Sequence, residues 1–529
     1  MSSESVKEGS ILKNASIVAA GTLVSRIAGL IRDQVTAFYF GAGPIADAFF
    51  VAFRLPNLLR RLLAEGALTP AFVPVFTERL VKDGRQAASQ LFQGVMSLMT
   101  LILSGITIIG VIFAPFLVGL IAPGFKANPE LFDLTVLLAR ILFPYILLIT
   151  LTALAMGVLN SLGRYDLPAL GPVFLNICMI LGAVLISPLL ETPIIGLALG
   201  ALLGGVVQLA IQLPALLKAD ISLNFTLSLK DPAIGHILKL MAPTALGGAA
   251  YQLSIFINTQ LASFLEEGSV SYLYYADRLV QFPLGVFSLA LATAILPALS
   301  QHIAKGNTEE FKELFQKTLK LQFFITLPAM IGLMVMAGPL ISILFERGHF
   351  DSLSTSQTSL ALWGYALGLP FLSGASLAAR VFYSRKDTKT PAKVAAISLG
   401  LGLIAAIALL FPFGHLGLAL GSSFASMVNF SWLCLSLRKK GDLILGPFIK
   451  DAILSSFLAL IMGAALWPLY HHGYFASLSL IWKILLGLIV GPIIYFAMGY
   501  LLKSPNLAPL REICTKIKRK FIKSKDPES

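Results

Sequence analysis

Eight charged side chains crowd a stretch that is otherwise apolar enough to sit in lipid: Arg26, Arg32, Asp33, Asp47, Arg54, Arg60, Arg61 and Glu65. A charge at the centre of a bilayer costs roughly 2.5–3.5 kcal/mol on insertion scales, so such residues persist where they face a watery cavity or pair with one another. Five arginines against three acids leave an excess of positive charge. The chemistry that suits this excess is reversible binding of an anion crossing the membrane, and guanidinium grips phosphate through two parallel hydrogen bonds. Helical spacing puts Arg26 and Asp33 on one face of a first span, with Ser25 and Thr22 beside them. Along the next span Asp47, Arg54 and Arg61 recur at seven-residue intervals, Asn57 lies among them, and Glu65 stands one α-helical turn beyond Arg61. A helix from Asp47 to Arg61 covers roughly 21 Å. Pro56 should kink that helix and rotate its lower part.

Elsewhere the second lobe contributes less charge, Asp277, Arg278 and Arg380, with Arg140 in the first lobe and Lys483 in the last span also singled out. Arg140, Arg380 and Lys483 read as side chains reaching back to an interface. A structural reading competes with the functional one. Asp33, Asp277 and Glu65 are natural partners that hold arginines in place, and ion pairs of this kind can serve only to fasten a bundle. Gly29, Pro56, Gly247 and Pro283 are candidate hinges. Glycines at four-residue spacing (Gly196, Gly200, Gly204; Gly417, Gly421) read as close helix contacts. There is no phosphate-binding glycine loop, HExxH or serine–histidine–aspartate grouping. Three separated cysteines show no metal or disulfide spacing. The expectation is a transporter without cofactor, not an enzyme. An ion gradient of sodium or protons, the membrane potential, or supply and removal of substrate would drive it.

The class follows from composition. With 57% hydrophobic and 13% charged residues and mean hydropathy +0.83, the chain lies outside the range of soluble globular proteins. Fourteen spans are expected, near 12–40, 44–78, 91–121, 131–160, 168–188, 194–217, 234–265, 270–301, 311–345, 356–384, 391–412, 415–437, 450–470 and 476–502. Lysine and arginine gather on alternate connections, which places both termini in the cytoplasm. The net charge of +13 then belongs to loops and tail, where it meets anionic lipid headgroups, not nucleic acid.

The chain also resembles itself at an offset of about 224 residues, as the spacing of matched segments shows. TAFYFGAGPIADAFFVAFRL (36–55) aligns with LASFLEEGSVSYLYYADRL (261–279), and ALTPAFVPVFTERL (67–80) with LATAILPALSQHI (291–303). Matched spans keep the same orientation, as in transporters built from parallel repeats. The expected fold is an all-α polytopic membrane protein with fourteen transmembrane helices: two six-helix lobes in parallel repeat plus two C-terminal helices. The divisions are an N-lobe at 1–219, an interfacial linker at 220–232, a C-lobe at 233–440, a final helix pair at 441–503 and a basic cytoplasmic tail at 504–529.

SRIAGLIRD (25–33), GAGPIADAFFVAFRLPNLLRRLLAEGALTPAFVPVF (41–76) and YADRLVQFPLGVF (275–287) resemble the MurJ (MviN) family of lipid II flippases. These flippases belong to the multidrug/oligosaccharidyl-lipid/polysaccharide (MOP) exporter superfamily. The resemblance implies export of the undecaprenyl-diphosphate-linked peptidoglycan precursor from the inner to the outer leaflet of the bacterial cytoplasmic membrane, serving the cell wall and cell shape. It implies that arginines needed for transport correspond to Arg26, Arg32, Arg60 and Arg278, and an aspartate to Asp47. It further implies a groove for the lipid tail on the last two spans and partners in cell-wall synthesis. Some members bind sodium through an acid in the seventh span, where this chain has Asn258. Two transport alternatives remain at this point, a flippase for another polyprenyl-linked glycan of O-antigen type and a cation-coupled drug exporter. A nontransporting scaffold is a third reading, from another class.

Overall fold

The structure is a computed structural model that describes residues 3–226, 231–471 and 478–507, with side chains outside 3–15, 242–251, 289–290 and 471. It contains helices and no strand among the described residues. Eleven helical segments in that range are long and apolar enough to cross a membrane. The first, second and seventh expected spans are helical as well, and the first two carry the intramembrane charges.

The first run opens with α1 (Ser3–Phe40) and α2 (Pro44–Leu59), which passes into a π-helical stretch, Arg60–Leu68, and then α3 (Thr69–Lys82). It continues through α4 (Gly84–Ile112), α5 (Ala114–Ile121), α6 (Pro129–Leu142), α7 (Tyr145–Ser161), α8 (Asp166–Leu181), α9 (Ile194–Ala210) and the short α10 (Leu213–Leu217). The second run repeats the order. It comprises α11 (Pro232–Ser263), α12 (Ser269–Pro283), a π-helical stretch Leu284–Ser288, α13 (Leu289–Ala304), α14 (Thr308–Val335) and α15 (Ala337–Phe345). It closes with α16 (Ser352–Ala366), α17 (Leu369–Ser384), α18 (Lys389–Phe413) and α19 (His415–Lys439). The π-helical stretches Arg60–Leu68 and Leu284–Ser288 each follow a proline within four residues, Pro56 and Pro283, whereas a third, Gly182–Ile186 after α8, does not. Proline removes one i→i−4 hydrogen bond, which eases the change to i→i+5 bonding. Two further helices, α20 (Leu445–His471) and α21 (Leu480–Leu501), stand outside the repeat.

Contacts divide the chain into two units, Met1–Ser271 with Phe345–Ser354, and Tyr272–Leu344 with Thr355–Ser529. In the first unit a core of Phe72, Phe76, Leu91, Phe92, Ile146 and Val158 packs α3, α4 and α7 together. Helix α11 begins the second sequence repeat, yet it packs in the first unit, against the π-helical stretch and α3. The connection before it is not helical over 221–226. It lies along α4, where the buried hydroxyls of Ser89 and Ser97 each accept at 2.9 Å from the backbone N–H groups of Ser222 and Thr226. In the second unit Phe323, Phe371, Phe430 and Phe448 form an aromatic cluster.

Lipid gives helices no hydrophobic drive to associate, so close packing of small residues takes its place. A Cβ on Gly200 would stand 2.6 Å from the Cys178 carbonyl oxygen and one on Gly204 2.7 Å from Leu175, both on α8. Gly421 meets Ala406 in the same way, and Gly402 meets Ala425, across α18 and α19. At the α1–α2 turn, Gly41 has φ +65° and a Cβ there would lie 2.4 Å from the His349 carbonyl oxygen, so both conformation and space require glycine.

Candidate functional site

Helix α1 approaches α8 closely: a Cβ on Gly21 would lie 2.6 Å from the Ala169 side chain, and Gly29 lies opposite Asn176. This contact buries Arg32. Its Nε and Nη2 donate to Asp33 Oδ1 at 3.1 and 2.6 Å, and its Nη1 donates to Asn176 Oδ1 at 3.0 Å. The Asn176 amide donates in turn to the Ser25 carbonyl at 3.3 Å. The partner of Asp33 is therefore its neighbour Arg32, not Arg26 one face-repeat away. Arg26 is exposed and makes no hydrogen bond or ion pair among the described residues.

On α2 the seven-residue series divides. The guanidinium of Arg54 donates to the Thr259 hydroxyl on α11. Past Pro56 the helix widens, and Glu65, one α-helical turn beyond Arg61 in the sequence, meets Arg60 instead. Arg60 Nη1 lies 2.5 Å from Glu65 Oε1, and its Nε donates to Asn57 Oδ1 at 3.2 Å. Asn57 itself donates to the Phe53 carbonyl. Arg61 is exposed without a hydrogen bond or ion pair among the described residues. Gly66 admits this geometry, because a Cβ there would stand 2.6 Å from the Arg61 carbonyl oxygen.

Arg32 and Arg60 share one neighbour in electrostatic range, Tyr145, a fully buried ring on α7 whose centroid lies 5.8 Å from that of Phe53, the two rings tilted. Both guanidiniums and Glu65 lie within electrostatic reach of its hydroxyl. Each of the two arginines thus has an internal carboxylate beside it. An incoming phosphate can exchange with those carboxylates for the same donors, at far less cost than stripping water from a bare cation.

Asp47 takes no part in that cluster. Its carboxylate is buried at the start of α12, where Oδ2 accepts from Gly268 N and Oδ1 from Ser271 N, both at 2.7 Å, and from the Ser271 hydroxyl. These are the unsatisfied donors of a helix N-terminus, and an anion there also meets the positive end of the helix dipole.

In the second unit the exposed Arg278 donates to the Tyr274 hydroxyl at 2.8 Å, with its guanidinium carbon 4.8 Å from the ring centroid. Asp277 Oδ1 accepts from Gln281 at 3.4 Å. Pro283 is the last residue of α12, and Gly247 falls among the side chains outside the described residues. Arg140 is exposed and reaches the Val111 carbonyl at 3.3 Å, at the end of α4. No cluster of His, Cys, Asp and Glu suited to a metal occurs among the described residues.

Two features carried no weight in the sequence reading. Asn176 is a lone amide in the apolar fifth span, and only the α1–α8 contact gives it a partner. Lys320 on α14 and Asp451 on α20 form an ion pair at 2.7 Å, with Asp451 buried. Their charge was legible, since each falls inside an expected span, but their pairing across the chain was not.

The sequence profile of the family described as Lipid II flippase MurJ matches residues 36–486. A probable lipid II flippase MurJ of Vibrio cholerae serotype O1 is 38% identical, over 87% of this chain and 89% of that one. A lipid II flippase MurJ of Burkholderia cenocepacia is 38% identical, over 80% of this chain and 83% of its own. A solved structure of lipid II flippase MurJ in an inward closed conformation superposes with TM-score 0.77 at 29% identity, covering 92% of this chain and 99% of that one. An inward-facing multidrug resistance MATE transporter of the MOP superfamily shares the fold, with TM-score 0.67 at 18% identity, 80% of this chain and 98% of that one covered.

Proposed function

We propose that this chain, which belongs to the lipid II flippase MurJ family, carries lipid II from the cytoplasmic to the periplasmic leaflet by alternating access. It is a multi-pass protein of the bacterial cytoplasmic membrane, and the alternation of basic loops orients both termini to the cytoplasm. The observation that carries the reading is the two guanidiniums Arg32 and Arg60, each paired with a carboxylate, Asp33 and Glu65, that a phosphate can displace.

The diphosphate is the part of lipid II that such a site fits. It displaces the two carboxylates, and Arg26, exposed on α1, supplies further positive charge. Arg278 is retained as a separate candidate anion ligand in the second repeat. Asp47 acts instead as the cap that fixes the start of α12. The long apolar tail stays in lipid along α20 and α21, the pair a twelve-helix transporter does not require. Membrane lipids surround the whole, and components of cell-wall synthesis receive the product.

The test is complementation of a strain depleted of its lipid II flippase, with leaflet accessibility of lipid II as the readout. Wild type restores accessibility and Arg32→Glu does not, at equal membrane expression. Rescue by Arg32→Glu would remove the arginine site from the mechanism. Rescue by neither protein would move the substrate to another polyprenyl-linked glycan.

A further inference from the structure

We propose that Asn176 is a positioning residue for Arg32, holding the guanidinium in place for the diphosphate while leaving its charge intact. The inference rests on the reading of Arg32 as a diphosphate ligand. Asn176 is buried on α8, one helix away from the arginine it serves, and no motif marks it. Its amide is used at both ends, the oxygen accepting from Arg32 Nη1 and the nitrogen donating to the Ser25 carbonyl. That second bond decides which way the amide faces, because reversing it would set an NH₂ against a guanidinium and an oxygen against a carbonyl.

The chemical difference between Asp33 and Asn176 as partners of Arg32 makes Asn176 more than packing. Asp33 neutralises the guanidinium, so an incoming phosphate must displace it. Asn176 is a neutral acceptor, so it can keep its hydrogen bond while the phosphate binds the opposite edge. A flexible arginine side chain loses rotamer entropy when it is fixed. With Nη1 already held, that cost is met before the substrate arrives. Gly29 leaves room for the arrangement, since even a Cβ there would lie 3.7 Å from Asn176 Nδ2.

The experiment is a double-mutant cycle on lipid II binding to the purified full-length protein, using Arg32→Ala, Asn176→Ala and the double variant, with thermal melting of each as a control. Asn176→Ala is expected to weaken binding about fivefold, the worth of one hydrogen bond. It should weaken binding no further when Arg32 is already alanine. Asn176→Asp preserves size and the contact with Arg32 but adds charge. It should therefore bind more weakly than Asn176→Ala, and it serves as the readout if the alanine variant does not fold. Additive losses, or Asn176→Asp binding as wild type does, would overturn the proposal while leaving Arg32 as a ligand. Undiminished binding by Arg32→Ala would instead sink the underlying site, and the proposal with it.

Discussion

Arg60 and Glu65 are five residues apart in sequence and 2.5 Å apart in space, and the π-helical stretch they share is what joins them. On an α-helix residues four apart are stacked neighbours, whereas i→i+5 bonding places residues five apart one turn from each other. The wider turn pairs Arg60 with Glu65 and leaves Arg61 exposed. Because Glu65 is exposed and Arg60 half-buried, Glu65→Gln should change thermal stability by only about 0.2–1 kcal/mol. The same substitution removes the anion that competes for Arg60. Lipid II binding should tighten, by up to about fivefold, while release slows; a titration and a transport assay on one preparation separate the two. Weaker binding in Glu65→Gln would show that Glu65 supports the substrate site and does not occupy it.

The α-helical period made much of this chain legible and failed at identifiable places. Span positions, the repeat at about 224 residues and the glycine stripes of α9 and α19 depend on local pattern, and a single helix carries that pattern. The ladder Asp47, Arg54, Arg61 is counted at α-helical spacing, with a kink at Pro56 but no change of helix type. The π-helical stretch breaks that spacing after Leu59, and each member of the ladder has different surroundings. Asp47 could not be assigned as a cap from its own helix, because the donors it satisfies lie more than two hundred residues away. Asn176 was silent for the same reason.

Asp47→Ala should destabilise the first unit. Two backbone N–H groups and a hydroxyl lose their acceptor in a buried setting. Each donor left unsatisfied costs about 1–3 kcal/mol. Asp47→Asn keeps one acceptor oxygen and should fall between wild type and alanine, and Ser271→Ala, which removes only the hydroxyl, should be mildest. Thermal melting in detergent orders the series. An Asp47→Ala protein as stable as wild type would show that the cap contributes nothing to folding and would reopen a direct role in transport.

Two glycines in equally apolar helices should respond in opposite ways. A Cβ on Gly200 meets the Cys178 carbonyl oxygen at 2.6 Å and Met179 Cα at 3.0 Å, which are backbone atoms that yield only if α8 and α9 separate. Gly200→Ala should therefore cost about 1–3 kcal/mol, the usual penalty of overpacking. Gly400 has no atom within 4 Å of the corresponding position. Gly400→Ala should be neutral or stabilise by about 0.4–1 kcal/mol through the unfolded chain. Equal melting temperatures for the two variants would mean that the α8–α9 contact is not a fixed packing surface.

Lys320 and Asp451 fasten α20 to α14, assisted by the Tyr495 hydroxyl on α21, which donates to the Phe324 carbonyl at 2.9 Å. A largely buried pair of this kind gains little over a well-packed apolar pair, but losing one partner strands the other. Asp451→Leu alone should cost about 3–5 kcal/mol, and Lys320→Met alone a similar amount. The double variant should recover most of that loss. If α20 and α21 hold the lipid tail, a detached hairpin should also weaken binding of full-length lipid II without affecting a short-chain analogue. The two ligands, compared across the single and double variants, separate loss of the hairpin from damage to the arginine site. Equal loss for both would place the defect in the fold of the second unit and leave the tail without a groove.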